Sequence, residues 1–148
     1  DGYMFPCPTC GNAAGQVQQL VKYMEDNKVD IDVLWLDIEG PQYWLGSATA
    51  NQQFLEDLGT ACENMGLKTA VYSSIYEWTQ LFGTASYVFR PEWDIWYAHY
   101  DGIPSFSDFQ PFGGWTTPYA KQFSDKGANC GASYDINWMP NDPVLVVR

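Results

Sequence analysis

The sequence predicts an α/β fold in which a largely parallel sheet curls into part of a barrel. Strands and helices alternate through the first two thirds of the 148 residues, a pattern typical of parallel βα units with right-handed crossovers. Two strands then follow one another, which favours an antiparallel closure. Only about six strands can be counted, whereas a complete βα barrel has eight. The barrel is therefore expected to be incomplete, and the chain to begin inside its first strand.

The N-terminal segment predicts one βα unit. Gly2-Tyr3-Met4-Phe5 is a short aromatic run stopped by Pro6, which indicates a strand. Asn12 is a suitable N-cap for the helix that follows. The apolar face of that helix repeats at helical spacing and consists of Val17, Leu20, Val21 and Met24.

The middle of the chain predicts two more units. A strand is expected from Val33 to Glu39, and Asn51 is expected to cap the next helix. Gly66 stands where a glycine ends that helix. A strand at Thr69–Ser73 and a short helix at Tyr76–Phe82 follow.

The last third predicts strands without helices between them. One strand covers Asp94–Tyr100, and a loop rich in Gly, Pro and Ser runs from Asp101 to about Pro118. Two closing strands are expected near Lys121–Phe123 and Ser133–Asn137. All 148 residues are interpreted as a single domain.

The composition restricts the class of partner. Hydrophobic residues make up 46% and charged residues 17%, an ordinary globular balance. Aromatic residues reach 17%, which fits either a large aromatic core or a cleft in which rings stack on sugars. The net charge of −11 argues against nucleic acid and anionic membranes as partners. No apolar run reaches the roughly 18 residues needed to span a membrane.

Cysteine and histidine give no sign of a metal centre. Four cysteines allow three pairings, which the sequence does not resolve, and they are Cys7, Cys10, Cys62 and Cys130. The Cys7-x-x-Cys10 pair resembles half of a zinc site, but no second half exists, so disulfides are favoured. The single histidine, His99, is interpreted as structural. No metal and no cofactor are predicted.

The strand that ends at Glu39 carries the candidate chemistry. Because side chains alternate along a strand, one face is aliphatic and suited to packing under helices: Leu34, Leu36 and Ile38. The other face carries Trp35 and ends in two acids, Asp37 and Glu39, immediately before Gly40-Pro41. In βα barrels the active site is built at this end of the strands.

Two carboxyl groups at this spacing lie roughly 6–7 Å apart along a strand. In an aromatic-lined mouth both cannot ionise easily, so one should have a raised pKa and donate a proton near neutral pH. Hydrolysis of a glycosidic bond needs such an acid beside a second negative charge. The alternative is a solvated pair of acids at a strand end.

Leu34-Trp35-Leu36-Asp37-Ile38-Glu39-Gly40 resembles the fourth strand of glycoside hydrolase family 25, the Chalaropsis-type lysozymes. Other segments resemble further strands of that family in the family's order: Gly2–Phe5, Ala70–Ser73, Ile95–Tyr100, Lys121–Phe123 and Tyr134–Asn137. Two segments resemble the branch found in amoebae and nematodes: Pro6–Asn12 and Gly40–Trp44.

The resemblance implies a TIM-like (β/α)5β3 barrel, incomplete at its N-terminus and lacking roughly the first two strands. It implies that Glu39 is the catalytic acid/base, with Asp37 and Asp135 as its acidic neighbours. The residues implied to bind the sugar are Tyr3, Tyr72, Trp96 and Asn137. The family's first strand carries a further active-site Asp that has no counterpart here.

The incomplete barrel leads to an expectation about its edges. An upstream segment or another chain is expected to pair with Gly2–Phe5 and with the strand near Asp135. Otherwise a gap two strands wide should separate them, with Val33 and Trp35 facing water.

The resemblance implies a lysozyme that cuts the β-1,4 bond between N-acetylmuramic acid and N-acetylglucosamine in bacterial peptidoglycan. The alternatives are a lysozyme-like barrel that binds glycans without cutting them, and a structural or assembly subunit. The acidic chain suits a secreted or a lysosomal or phagosomal location, with activity below neutral pH.

Overall fold

The computed structural model describes residues 1–140 as a mixed α/β fold with one six-stranded sheet and three α-helices. The elements are β1 (Gly2–Met4), α1 (Ala13–Asn27), β2 (Leu34–Asp37), α2 (Ala48–Asn64), β3 (Thr69–Ser73), α3 (Ile75–Phe82), β4 (Ile95–Ala98), β5 (Ala120–Asn129) and β6 (Ala132–Trp138). The predicted domain boundary at residue 148 lies outside the described residues.

The strands lie in the sheet in chain order. Strands β1 to β5 are parallel, and β6 is antiparallel to β5. This arrangement confirms the predicted parallel βα units and their antiparallel closure. It also brings the carboxyl ends of five strands to one edge of the sheet, where β2 delivers its two acids.

The core lies between the helices and the convex face of the sheet. The predicted aliphatic face of β2 is buried there, with Leu34 at 2% exposure and both Leu36 and Ile38 at 0%. Helices α1 and α2 contribute apolar residues from one face each, including Val17, Leu55 and Leu58. Burial of this face fixes which side chains of β2 point to the opposite, concave side.

One predicted helix start is confirmed and one is wrong. The Asn12 side chain caps α1 by accepting a hydrogen bond from Gly15 N. Helix α2 begins earlier than predicted, and Ser47 is its N-cap. Asn51 is inside the helix and almost fully buried, and its amide donates to the carbonyl of Leu81 at 2.8 Å. The sequence alone does not distinguish an asparagine that caps a helix from one whose buried amide bonds to a distant carbonyl, as Asn51 does.

The closing hairpin is longer than predicted, and the loop before it is held by a buried lysine. Lys121 in β5 is fully buried, and its Nζ donates to Asp101 and Asp108 at 2.8 Å each. It also donates to the carbonyl of Ile103 at 3.1 Å. The loop that connects β4 and β5 is thus tied to the sheet by one cation.

The sheet curls into a half-barrel that does not close within residues 1–140, where β1 and β6 form the two edges. A cavity of about 650 Å³ separates these edges, with Tyr3 on one side and Asn137 on the other. The expectation that Trp35 faces water is wrong, because its exposure is only 6%. Trp96 and Tyr119 pack against its ring at 5.7 Å each, and its Nε1 donates to Asp1.

Cys7 and Cys10 form a disulfide, whereas the thiols of Cys62 and Cys130 are free. Burial raises the pKa of the Cys62 thiol to about 11.

No helix among residues 1–140 combines the length and the apolarity that a membrane crossing requires.

Candidate active site

Asp37 and Glu39 lie at the carboxyl edge of the sheet, as the strand pattern predicts. Asp37 is the last residue of β2, and Glu39 follows just beyond the strand. The residue between them is fixed to β3 at both ends of its backbone. Ile38 N donates to the carbonyl of Tyr72 at 2.9 Å, and Ser73 Oγ donates to the carbonyl of Ile38 at 2.7 Å. Pairing with β3 thus continues past the strand and holds both acids on the concave side.

The Asp37 carboxyl group is more buried than that of Glu39. Burial and, to a smaller extent, the negative charge of Glu39 together raise the pKa of Asp37 to about 7. Its Oδ1 is buried and has no hydrogen-bond partner among residues 1–140. A carboxyl group in such a position is held in its neutral form until the pH approaches 7.

Glu39 is also biased toward its protonated form. Burial raises the pKa of Glu39, and the negative charges of Glu77 and Asp135 raise it further. Asp135 belongs to the edge strand β6, so one edge of the half-barrel contributes to the electrostatics of Glu39. The structure therefore brings together all three acids predicted from the sequence and adds a fourth, Glu77.

Aromatic and amide side chains form the floor beneath the acids. Tyr72 and Tyr100 both donate their hydroxyls to Gln122 Oε1 at 2.6 Å. Trp96 Nε1 donates to Asn137 Oδ1 at 2.9 Å, and the Trp96 ring packs edge-on against Tyr72 at 4.6 Å. The floor is thus a hydrogen-bonded layer that joins β3, β4, β5 and β6.

The predicted sugar-binding residues differ in accessibility. Tyr72 is 7% exposed and its hydroxyl is already bonded, whereas Tyr3 on the edge strand is 69% exposed. Trp96 and Asn137 are partly exposed and bonded to one another. An open face is therefore available on Tyr3, and the other three residues shape the floor.

Sequence reasoning missed three members of the site. The sequence pattern indicates Gln122 only as part of a closing strand and Tyr100 only as the end of another strand. Their shared hydrogen bond joins residues far apart in the chain, which no local pattern reveals. Glu77 did leave a signal, because Ser74-x-x-Glu77 is the capping-box pattern that marks a helix start.

His99 belongs to a separate polar cluster that also contains Asp101 and Asp108. Its Nδ1 lies 2.5 Å from Asp108 Oδ2 and 3.7 Å from Asp101 Oδ2. These three groups have the spacing of metal ligands. Lys121 Nζ already lies between the two carboxylates at 2.8 Å from each, so the cluster holds its own cation. Its arrangement fits the structural role predicted for His99.

Comparison with known proteins gives matches over most of the chain. A family model described as lysozyme-like protein 1 matches residues 1–123. The chain is 49% identical over 140 residues to "Probable GH family 25 lysozyme 2" of Dictyostelium discoideum. It is 43% identical over 141 residues to "Probable GH family 25 lysozyme 4" of the same organism. Each match covers 95% of this chain but only 65% of the relative, so the chain spans less than two thirds of their length.

Among solved structures, the fold is similar to that of the Clostridium perfringens spore cortex lytic enzyme SleM. The TM-score is 0.66 at 22% identity, over 95% of this chain and 49% of the other. At this identity the likeness concerns the fold alone, and it supports the half-barrel described above.

Proposed function

The chain belongs to the lysozyme-like protein 1 family, and on that premise we propose that it forms the larger part of a lysozyme acting on bacterial peptidoglycan. The enzyme hydrolyses the β-1,4 bond between N-acetylmuramic acid and N-acetylglucosamine. The names of the two Dictyostelium relatives support this reaction.

The observation that carries the proposal is the carboxyl pair at the end of β2. Glu39 is the more open of the two acids, and burial together with neighbouring negative charge raises its pKa, which favours the protonated form. It can protonate the glycosidic oxygen as the bond breaks and later accept a proton from water. Asp135 supplies negative charge that stabilises the oxocarbenium-like centre, whereas Asp37, which is neutral below about pH 7, can donate a hydrogen bond to the sugar.

The finer architecture is part of the proposal. A TIM-like (β/α)5β3 barrel would require further strands between β1 and β6, from an upstream segment or from another chain. The cavity between those edges supports this, because it is lined by apolar rings such as Trp35, Trp96 and Tyr119. A secreted, lysosomal or phagosomal location would suit a wall-degrading enzyme with a net charge of −11, because acidification weakens its repulsion from anionic walls.

The open sheet favours a second candidate, a lysozyme-like protein that binds glycans without cutting them. Incubation of the purified protein with bacterial peptidoglycan sacculi separates the two. A lysozyme releases fragments with N-acetylmuramic acid at the reducing end, identified by mass spectrometry. Sedimentation with the sacculi without released fragments would support the second candidate, and neither binding nor release would contradict both.

A further inference from the structure

We propose that Glu77 is a positioning residue for Glu39: it holds the turn that follows Glu39 and places a negative charge beside it. This inference rests on the proposed function, because Glu39 is there the proton donor. Glu77 is in the first turn of α3, outside the strand that carries the two acids.

The Glu77 carboxylate bonds to a backbone amide outside its own helix. Ser74 Oγ accepts from Glu77 N at 3.1 Å, which is one half of a capping box. In the complete box the glutamate side chain accepts from the N-cap amide of its own helix. Here Glu77 Oε2 accepts from Gly40 N at 3.0 Å, a residue 37 positions earlier. The side chain thus links α3 to the turn after Glu39.

The peptide group between Glu39 and Gly40 is hydrogen-bonded to side chains at both ends. Its N–H donates to Glu77 Oε2 at 3.0 Å, and its carbonyl accepts from Trp44 Nε1 at 2.9 Å. Both ends of one peptide plane are therefore held by side chains. Gly40 has a φ of +69°, and a Cβ there would lie 2.8 Å from the Tyr43 ring. The turn is tightly specified, and this fixes the direction in which Glu39 leaves the backbone.

Glu77 also places a negative charge near Glu39. The groups that face Glu39 are Asp37 from β2, Glu77 from α3, Asp135 from β6, and the hydroxyls of Tyr72 and Tyr100. Burial raises the pKa of Glu39, and the Glu77 carboxylate is the leading charge among the causes that add to it. A negative charge nearby disfavours ionisation of an acid, so Glu77 keeps Glu39 protonated at higher pH.

The test compares Glu77→Gln, Glu77→Ala and the control Glu25→Gln, which removes an exposed charge on α1. Glu77→Gln keeps an acceptor for Gly40 N and removes the charge. It should lower the pH at which activity falls to half on the alkaline side by about 0.5 pH unit. The kcat at the optimum should change little. Glu77→Ala should give the same shift and an additional loss in kcat of about tenfold, because the peptide anchor is gone. A purely structural role would lower kcat without moving that pH.

Carbon-13 NMR titration of the Glu39 carboxyl measures the effect without any substrate. A fall in the Glu39 pKa in Glu77→Gln, absent in Glu25→Gln, supports the inference even if the protein proves to have no turnover. An unchanged Glu39 pKa overturns it even if turnover is present. The amide proton signal of Gly40 should shift in Glu77→Ala, where its acceptor is lost, and an unchanged Gly40 signal in that variant would also overturn the inference.

Discussion

Asp37 and Glu39 are two residues apart, but their surroundings give them different tasks. One oxygen of Asp37 is buried and has no hydrogen-bond partner in the part of the chain that the structure describes, whereas Glu39 lies past the strand end, where a substrate could reach it. The strand pattern places both acids on one face, and this part of the site is predictable from the sequence. Which of the two carboxyl groups is more buried is not predictable from the sequence, because burial depends on packing against β3 and β4.

Replacing Asp37 should stabilise the fold at alkaline pH. Folding raises the pKa of Asp37 from 3.8 to about 7, so the stability associated with its neutral form is present below pH 3.8 and lost as the pH rises through 7. Asp37→Asn is neutral at every pH. It should raise the free energy of unfolding by about 1–3 kcal/mol at roughly pH 8, with little gain at about pH 4.

Chemical denaturation at the two pH values measures the effect of Asp37→Asn. Asp32→Asn, at an exposed position just before β2, is the matched control and should change neither value. If Asp37→Asn lowered the free energy of unfolding equally at both pH values, the Asp37 carboxyl group would stabilise the fold through its contacts. That result would contradict the cost of ionising it in a buried position.

The pH profile of activity should favour the acidic side. Glu39 must be protonated to act, and its pKa is raised from the ordinary value of 4.5, so activity should persist above that pH and then fall as Glu39 ionises. Release of reducing ends from peptidoglycan should be about tenfold lower at roughly pH 8 than at roughly pH 5.5. A maximum above about pH 7.5 would contradict this assignment of the proton donor.

At the scale of secondary structure, local patterns predicted most elements and failed where a distant contact decides. The caps illustrate this difference: Asn12 bonds within its own first turn, whereas Asn51 bonds to the carbonyl of Leu81 in another helix. Lys121 looks in sequence like a surface residue of a closing strand. Its burial depends on two aspartates from the preceding loop, and no spacing rule connects them.

The Lys121 cluster should hold the loop between β4 and β5 in place. Burial raises the pKa of Asp108, but hydrogen bonds from Lys121, His99 and Tyr97 outweigh it and lower the pKa to about 2. Lys121→Met removes the buried cation and leaves two carboxylates facing one another. The free energy of unfolding should fall by about 1–3 kcal/mol, because the hydrogen bonds of a buried cation are lost while the two carboxylates stay open to water.

The control for Lys121→Met is Lys126→Met, an exposed position on the same strand. It should change the free energy of unfolding by no more than about 0.5 kcal/mol. Equal effects of the two substitutions in thermal or urea unfolding would show that the ion network does not stabilise the loop.

At the scale of the whole molecule, two properties govern encounter with a cell wall: the open half-barrel that residues 1–140 form and a net charge of −11. Bacterial walls are anionic, so repulsion should slow association at neutral pH. The composition predicts this charge directly. The open edges were predicted from the strand count, whereas the burial of Trp35 was not, because it depends on Tyr119, a residue in the loop before β5.

Added salt should therefore raise wall lysis near neutral pH. Screening at about 0.15 M shortens the range of the repulsion relative to about 0.01 M, so the initial rate should increase severalfold. A soluble oligosaccharide of alternating N-acetylglucosamine and N-acetylmuramic acid, with its carboxyl groups amidated, is the uncharged control substrate, and its cleavage should not respond to salt. A rate on walls that falls steadily with salt would contradict the repulsion.

The central claim is that the Glu39 carboxyl donates the proton that breaks the glycosidic bond. Its most direct test is the rate at which Glu39→Gln releases fragments with N-acetylmuramic acid at the reducing end, compared with Glu92→Gln at an exposed position. The amide keeps the shape and removes the proton, so Glu39→Gln should be slower by about 10²-fold or more, while Glu92→Gln retains the original rate. A Glu39→Gln variant that keeps half of the activity would contradict the claim.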